Sequence, residues 1–299
     1  MTKSKTHKKK GAAAIVTAVI VLAALSIFTA CSNAVQMPDA GGGTGTSSEA
    51  PFVEGGVSFI LSPDKLDITV KVTTSDGTSV TVEGCTVTTL TSDTETTLHA
   101  KDILVILKGK ITELKCYSNQ LTELNVQGLT ALQKLDCDKN QLTALDVQGL
   151  TALQYLTCSD NQLTSLNVQG STALQGLFCR NNQLIELNVQ DLTALQYLRC
   201  ADNQLTALNV QGLTALKGLS CYNNRLNADA FKKLFDDLPQ RADSDGADCI
   251  LYTEESGVTE GNHTDFTAPP ELANAFNNAK TVKKWKMYKH VILSKKVEI

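Results

Sequence analysis

A cysteine recurs with a 21-residue period through the middle of this 299-residue chain, and an asparagine follows each one at the third position after it. The cysteines are Cys116, Cys137, Cys158, Cys179, Cys200 and Cys221, and the asparagines are Asn119, Asn140, Asn161, Asn182, Asn203 and Asn224. Such a period indicates one structural coil per repeat, because a single short coil cannot bury its own apolar side chains and must stack on its neighbours. The chain is therefore expected to fold as a solenoid.

Each repeat has the same internal pattern, as in Leu132-x-x-Leu135-x-Cys137-x-x-Asn140-x-Leu142. This pattern is typical of a leucine-rich-repeat solenoid, in which the first half of each coil forms a short parallel strand. So short a coil has no room for a helix in its second half, which is expected to run extended along the convex side. The predicted fold class is a β-rich leucine-rich-repeat solenoid with a concave parallel sheet and a cap at each end.

The repeated cysteines and asparagines are interpreted as structural. Each cysteine replaces the second inward leucine of its strand, and free cysteine behaves as a small buried apolar side chain. The spacing lacks the clustered cysteine pairs of a zinc site. A disulfide between coils stays open as an alternative, since neighbouring strands lie about 4.8 Å apart. Cys249 is interpreted as a further core position, and the asparagine amides are expected to satisfy backbone groups of adjacent coils.

The first 30 residues have the composition of a secretory signal, with five lysines before an uncharged stretch over residues 11–30. Residues 28–31 (Phe-Thr-Ala-Cys) resemble the lipobox of bacterial lipoproteins. That resemblance implies that Cys31 becomes the lipid-attached first residue of the mature protein. The alternative is a retained membrane anchor, because about 20 apolar residues can span a bilayer. In both cases the remainder lies outside the cytoplasm.

Composition and periodicity divide the chain into five parts. They are a lipoprotein signal peptide (1–30), a flexible tether (31–51), a β-rich N-terminal cap (52–110), six 21-residue repeats (111–226) and a C-terminal cap with helices and strands (227–299). In the N-terminal cap, alternating residues 66–72 and 80–82 around a Ser-Asp-Gly turn predict a β-hairpin. Glycine at 128, 149, 170 and 212, with Asp191 in the same phase, predicts a tight corner.

The C-terminal part departs from the repeat. Asn227 is predicted to cap a helix over residues 229–238, and a second helix is predicted over 271–278. Strands are predicted at residues 247–252, 282–288 and 291–293. These elements would close the distal end of the solenoid.

The full repeat, continuing as Asn-Gln-Leu-Thr-x-Leu-x-Val-Gln-Gly-Leu-Thr-Ala-Leu, resembles leucine-rich-repeat surface proteins of oral treponemes and Bacteroides-group bacteria. Residues 251–262 and 282–288 resemble the same group. The resemblance implies an outer-membrane or cell-surface protein that mediates adhesion to host tissue or to other bacteria. The expected partner is a host extracellular-matrix or epithelial surface protein, or another bacterial surface protein. The alternative is an envelope-structural or periplasmic interaction protein without a host ligand.

Charge and motif content argue against two other classes of function. Without the five signal lysines, 22 Lys and Arg stand against 31 Asp and Glu, whereas a nucleic-acid partner prefers a basic face. The four histidines lie outside the repeats, and no nucleophile-elbow, zinc-protease or phosphate-loop motif occurs. The chain is therefore predicted to be a non-enzymatic protein without a cofactor.

The concave face holds the predicted partner-binding residues, because three outward columns vary while the rest of each repeat barely changes. The candidates are Tyr117, Tyr155, Phe178, Arg180, Tyr197, Arg199 and Tyr222. Aromatic and arginine side chains are enriched at protein interfaces, although aromatics also favour strands in general. Seven lysines between residues 280 and 296 are a second candidate, for an acidic glycan or lipid headgroup, or else the solvated face of a cap strand.

Overall fold

The computed structural model describes residues 49–291 and 295–299. The predicted signal, the predicted lipid-attachment residue Cys31 and nearly all of the predicted tether lie outside the described residues.

Short strands dominate the structure. Six lie upstream of the coils: β1 (Gly56–Leu61), β2 (Asp67–Thr74), β3 (Val80–Glu83), β4 (Thr89–Leu90), β5 (Glu95–His99) and β6 (Leu104–Lys108). Nine belong to the coils: β7 (Ile111–Lys115), β8 (Leu121–Asn125), β9 (Lys134–Asp136), β10 (Ala144–Asp146), β11 (Tyr155–Thr157), β12 (Ser165–Asn167), β13 (Gly176–Phe178), β14 (Tyr197–Arg199) and β15 (Gly218–Ser220).

The coils stack in register through a parallel sheet. Leu135 of β9 lies beside Leu156 of β11, which lies beside Leu177 of β13, so that equivalent residues of successive repeats are neighbours. The same offset joins β7 to β9, β13 to β14 and β14 to β15. On the opposite side of the coils, β10 and β12 are the only described coil strands that pair with each other, while β8 pairs with β1. The second halves of the coils otherwise run as turns and extended segments, as the short repeat predicts.

The strands upstream of the coils extend both sides of the solenoid. β1 lies between β6 and β8 and is buried along its whole length, while β2 lies between β7 and β5. The predicted hairpin is therefore wrong: β2 and β3 belong to different sheets, and β3 pairs with β4 and β6. Both segments do alternate buried and exposed residues, but alternation identifies the buried face and not the neighbouring strand.

The repeated cysteines form a buried column of free thiols. Each of the six is fully buried. Cys249 is buried as well, but it lies beside Leu219 on the next strand and so takes the place of the inward leucine, not of the repeated cysteine. Burial raises the pKa of all six thiols, to about 12 for Cys179. For Cys221, a contact from Cys249 raises the pKa more than burial does. Such thiols are poor nucleophiles, since the thiolate is the reactive form. Their role in the fold is to fill the narrow interior of the coil.

The asparagine column supplies the polar interior of the solenoid. Asn161 is typical: its Oδ1 accepts from the Leu142 N–H in the previous coil (3.1 Å). Its Nδ2 donates to the Cys137 carbonyl of that coil (3.0 Å) and to the Cys158 carbonyl of its own (3.2 Å). These bonds are the ones predicted for the asparagine amides from the sequence. Each asparagine satisfies buried backbone groups that water does not reach.

The recurring glycine position of the repeat forms the predicted tight corner in most coils. Gly149, Gly170 and Gly212 have φ of 71°, 76° and 81°, and Asp191 has 66°. Gly128 differs, because its φ lies outside the left-handed region and a neighbouring segment of backbone packs directly against it. Glycine is thus required at 149, 170 and 212 by the left-handed backbone, and at 128 by the close approach of another backbone segment.

The C-terminal part continues the concave sheet and covers its last coil. It contains α1 (Ala228–Asp237), a short 3-10 turn (Asp243–Asp245), α2 (Pro270–Thr281), β16 (Asp248–Thr253), β17 (Lys286–Val291) and β18 (Lys295–Glu298). β16 and β17 add parallel strands beyond β15, and β18 pairs antiparallel with β17. Residues 292 and 293 of the third predicted strand (291–293) lie outside the described residues.

Local signals explain where these helices begin and what they bury. The Asn227 side chain accepts from the Ala230 N–H (2.9 Å), as predicted for the cap of α1. Phe231 and Phe235 of α1 pack with Phe266 and with Phe276 of α2 in one aromatic cluster. Neither helix is both long and apolar enough to cross a membrane, and the part of the chain that the structure describes has no other helix that is.

Candidate functional site

The predicted partner-binding residues lie on or beside the strands of the concave sheet. Tyr155, Tyr197 and Arg199 are within β11 and β14, and Phe178 ends β13. Tyr117 follows β7, is well exposed, and donates through its hydroxyl to Glu95 at the edge of the sheet (3.4 Å). The sheet therefore brings these side chains onto one face, in the order of the coils.

Two tyrosine rings lie against glycines of the next coil. A Cβ atom on Gly176 would lie 2.8 Å from Cδ1 of Tyr155, and one on Gly218 would lie 2.7 Å from Cδ1 of Tyr197. These two tyrosines are half-buried because each ring covers the space left by a missing side chain. Packing on the glycine restricts the positions open to each ring before any partner arrives, which reduces the entropy lost on binding.

Tyr222 is the exception among the predicted residues. Its side chain is buried, and the His290 ring stacks on it at 4.6 Å with an interplanar angle of 7°. The expectation that Tyr222 faces a partner directly is corrected: β17 joins the concave sheet and places His290 over the ring. Tyr222 contributes instead as a supporting wall, with the Arg180 guanidinium 5.7 Å from its ring centre.

The two predicted arginines are held by carboxylates. Arg180 Nε donates to Asp202 (2.6 Å), and Arg199 Nη2 lies 3.8 Å from Asp248 on β16. Lys296 on β18 also contacts Asp248, so two cations share one carboxylate. Arg199 Nη1 is buried and has no hydrogen-bond partner among the described residues.

A concave cavity of about 350 Å³ lies where these groups meet. Its lining joins predicted residues of the coils to side chains of β16, β17 and β18. The lining residues are Ser159, Phe178, Arg180, Arg199, Ala201, Ser220, Tyr222, Asp248, Ile250, His290 and Lys296. The repeat pattern does not identify Asp248 or His290, because they come from strands outside the periodic coils, and the sequence places Lys296 only in the separate lysine-rich segment.

The lysine-rich segment is largely occupied by internal contacts. Lys283 donates to the carbonyls of Phe235 and Asp236 at the end of α1 (3.0 and 2.5 Å), and burial lowers its pKa. Lys280 donates to the Ile299 carbonyl (2.5 Å), and Lys289 pairs with Glu254 (2.6 Å). These lysines fasten the C-terminal elements together. The alternative of a cap strand with one solvated face describes them better than a continuous polyanion surface.

The N-terminal half of the concave face carries carboxylates instead. Asp138 accepts from the Ser159 N–H (2.5 Å) and lies near Asp136 and Asp160. Burial raises the pKa of Asp138 to about 7, the two neighbouring carboxylates add to the rise, and the Ser159 hydrogen bond opposes it. Within the described residues, no group of three or more His, Cys, Asp or Glu side chains is arranged to hold a metal ion.

The raised pKa of Asp138 predicts a pH-dependent stability. Because the folded pKa exceeds that of an unfolded Asp, about 3.9, the stabilisation from protonation is present at low pH and is lost as pH rises from about 4 to about 7. Between pH 5 and pH 8 we expect the free energy of unfolding of the parent to fall by about 1–2 kcal/mol more than that of the Asp138→Asn variant. This difference is smaller than the full pKa shift implies, because the side chain is partly exposed. Urea unfolding at both pH values measures this difference.

Glu260 has a pKa that burial also raises, but it is present in both proteins, so the comparison isolates Asp138. An equal pH dependence in the parent and Asp138→Asn would show that Asp138 is ionised in the folded protein throughout this range.

The stacked coils, with their inward leucine, cysteine and asparagine columns, define a leucine-rich-repeat solenoid, a class of protein that presents one continuous concave sheet. No family model matches the chain, and no curated protein matches its sequence. Several solved structures are similar to it. A leucine-rich-repeat protein of Leptospira interrogans has 24% identity and a TM-score of 0.39, covering 56% of this chain and 38% of its own.

Two Listeria monocytogenes structures are also similar. The functional domain of InlJ, which includes a cysteine ladder, has 27% identity and a TM-score of 0.35, covering 55% of this chain and 38% of its own. The internalin InlF has 18% identity and a TM-score of 0.40, covering 60% of this chain and 55% of its own. The chain thus spans less than two thirds of the length of each of these three proteins.

Proposed function

We propose that this chain is an exported, lipid-anchored surface protein that binds a protein partner through its concave face, and that the partner is a host extracellular-matrix or epithelial surface protein or another bacterial surface protein. The observation that carries the proposal is the row of aromatic and arginine side chains on that face. Coils that are otherwise nearly identical differ there, and two of the tyrosine rings pack against glycines. Rigid aromatic rings next to arginines are the side chains that dominate binding energy in protein interfaces.

The flanking parts support such a role as caps of the solenoid. The strands upstream of the coils bury the apolar edge of the first coil, and α1, α2 and β16–β18 cover the last. A capped solenoid leaves its concave sheet as the continuous surface open to a macromolecule. The lipid on Cys31 would hold this surface at the membrane, with residues 31–51 as the tether. We propose no catalytic activity and no cofactor.

Binding by the full chain to immobilised extracellular-matrix proteins and to cultured epithelial cells tests the proposal. We expect the variant with Tyr155→Ala, Phe178→Ala and Tyr197→Ala to bind at least about tenfold more weakly, since truncating a single hot-spot residue costs about 2 kcal/mol or more. A matched control carries Phe52→Ala, Ile185→Ala and Val282→Ala, which remove three exposed apolar side chains outside the concave sheet. Circular dichroism melting verifies that each variant is folded.

Equal loss in both variants, or no loss in either, would place the site elsewhere. Absence of binding by the parent to matrix proteins, epithelial cells and whole bacteria would favour the second candidate, an envelope-structural or periplasmic protein without a host ligand. The continuous sheet that runs from the upstream strands to the C-terminal strands is compatible with a structural role. Such a role leaves the Tyr155 and Tyr197 rings without a partner.

A further inference from the structure

The two candidate sites that the sequence separates, the concave patch and the lysine-rich C-terminal strand, meet at one pocket. Lys296 on β18 and His290 on β17 line the same 350 Å³ cavity as Arg180 and Arg199. The coils provide one half of this cavity and the C-terminal strands provide the other. The pocket is therefore formed only where the last coils meet β16–β18.

Within the pocket the cations project and the carboxylates lie beneath them. The side chain of Arg180 is 52% exposed while that of its partner Asp202 is 19% exposed. Lys296 is 41% exposed and Arg199 30%, whereas the Asp248 that they share is 15% exposed. An approaching group meets the cations first, and the buried carboxylates hold them in place.

The cations also exceed the carboxylates that hold them. Within the described part of the chain, Arg180, Arg199 and Lys296 form ion pairs only with Asp202 and Asp248, and one buried nitrogen of Arg199 has no hydrogen-bond partner there. His290, also in the lining, has its Nδ1 against Thr253 Oγ1 (3.3 Å) and Glu255 (3.7 Å), so this nitrogen is already occupied. The pocket thus has donor capacity that its own acids do not use, on a chain whose overall charge is negative.

We propose that this pocket binds a carboxylate from a short acidic segment of the protein partner. Arginine suits this ligand because its planar donors match a carboxylate, and the Phe178 and Tyr222 rings offer an apolar wall for the attached methylene groups. A long polyanion fits less well, because the carboxylate of Asp160 in the preceding coil lies close enough to act on Arg180 and would repel the polyanion. This inference rests on the proposed function and names the chemistry of the partner at one end of the site.

Titration of the full chain with acetylated tetraglutamate, followed by the NMR signals of the arginine side chains, tests the inference. We expect the Arg180 and Arg199 signals to move, and the same peptide with glutamine in place of glutamate to leave them unchanged. The Arg180→Gln, Arg199→Gln double variant is expected to bind tetraglutamate about tenfold more weakly or worse, because it loses the charge-assisted hydrogen bonds. Lys101→Gln removes one exposed charge outside the pocket. It is the control for each single substitution, Arg180→Gln and Arg199→Gln, and is expected to bind as the parent does.

A variant with the opposite expected effect guards against simple misfolding. Asp202→Asn removes the negative charge beneath Arg180, while the amide oxygen can still accept from Nε and hold the guanidinium in place, so tetraglutamate binding is expected to tighten severalfold. Asparagine suits this position, because the backbone there has a left-handed φ of 55°. Equal affinity in the parent and the double variant would overturn the inference, and so would binding of a heparin oligosaccharide in the pocket without binding of tetraglutamate. If matrix binding still depends on Tyr155, Phe178 and Tyr197 in that event, the proposed function stands and only the acidic-segment inference fails.

Discussion

Replacing Asn161 with alanine is expected to reduce the free energy of unfolding by about 3–5 kcal/mol, because each buried backbone group left without a partner costs about 1–3 kcal/mol. The amide of Asn161 serves the Leu142 N–H and the carbonyls of Cys137 and Cys158, all in the interior of the solenoid. Alanine can replace none of these bonds. The methyl group also leaves a space where the amide packed between the coils.

Asn188→Ala is the matched control, because this asparagine lies in the same solenoid but is exposed and accepts one hydrogen bond, from the Gln190 N–H (3.1 Å). We expect its cost to stay below about 1 kcal/mol, the typical net value of one hydrogen bond. Urea unfolding followed by circular dichroism measures both variants. Similar costs for the two substitutions would mean that the ladder bonds are replaced by water and do not hold the coils together.

The asparagine ladder shows how much of this fold the sequence predicts. Equivalent positions of successive repeats have the same environment, so the role of Asn161 can be inferred from the pattern. The hydrogen bond from the Leu142 N–H to its side chain is the one expected. The ladder does not end with the repeat, however. Asn262, well beyond the last periodic asparagine, accepts from the Leu226 N–H (2.9 Å) and donates to the Cys221 carbonyl (2.8 Å). No periodicity identifies it, because a helix and a strand intervene.

Glu260 makes the same point for the end of the solenoid. In the coils, the N–H before each ladder asparagine donates to a carbonyl of the following coil, as Asp202 does to Tyr222 (3.0 Å). After the last coil no such carbonyl follows in the described part of the chain, and the Asn223 N–H donates to the Glu260 carboxylate instead (3.0 Å). A single glutamate in a loop has no local signal for this role. The contact depends on where the chain returns after β16.

The candidate site divides in the same way. Alternation along a strand is enough to place Tyr155, Phe178 and Tyr197 on the concave face. It is not enough to show that Tyr222 is covered, since His290 reaches it from β17, a strand that lies far later in the sequence. The sequence therefore predicts the face within the periodic coils, and tertiary contacts decide its C-terminal end.

Gly128→Ala is expected to separate the first strands from the solenoid, with a loss of several kcal/mol in unfolding free energy. A Cβ at this position would lie 1.7 Å from the Val53 carbonyl oxygen and 2.9 Å from that of Gly56, so the clash is with backbone that cannot rotate away. Relief requires residues 53–56 to move, and β1 begins at Gly56, whose strand pairs with β6 and β8. The hydrogen bond from Asn125 Nδ2 to the Ala50 carbonyl (3.0 Å) would be lost with them.

Gly149→Ala provides a control at the same phase of the next coil, where a Cβ would have no atom within 4 Å and φ is 71°. Its cost is limited to the left-handed backbone, about 1–2 kcal/mol for a residue with a side chain. Hydrogen exchange distinguishes the two variants, because Gly128→Ala should deprotect the β1 and β6 amides while the coil amides stay protected, and Gly149→Ala should deprotect neither. Equal protection of β1 in both variants would show that the Val53 segment adjusts without leaving the first coil. Protection lost along the whole solenoid would mean that the upstream strands are the cap on which the folding of every coil depends, because an uncapped repeat array exposes the apolar edge from which unfolding spreads.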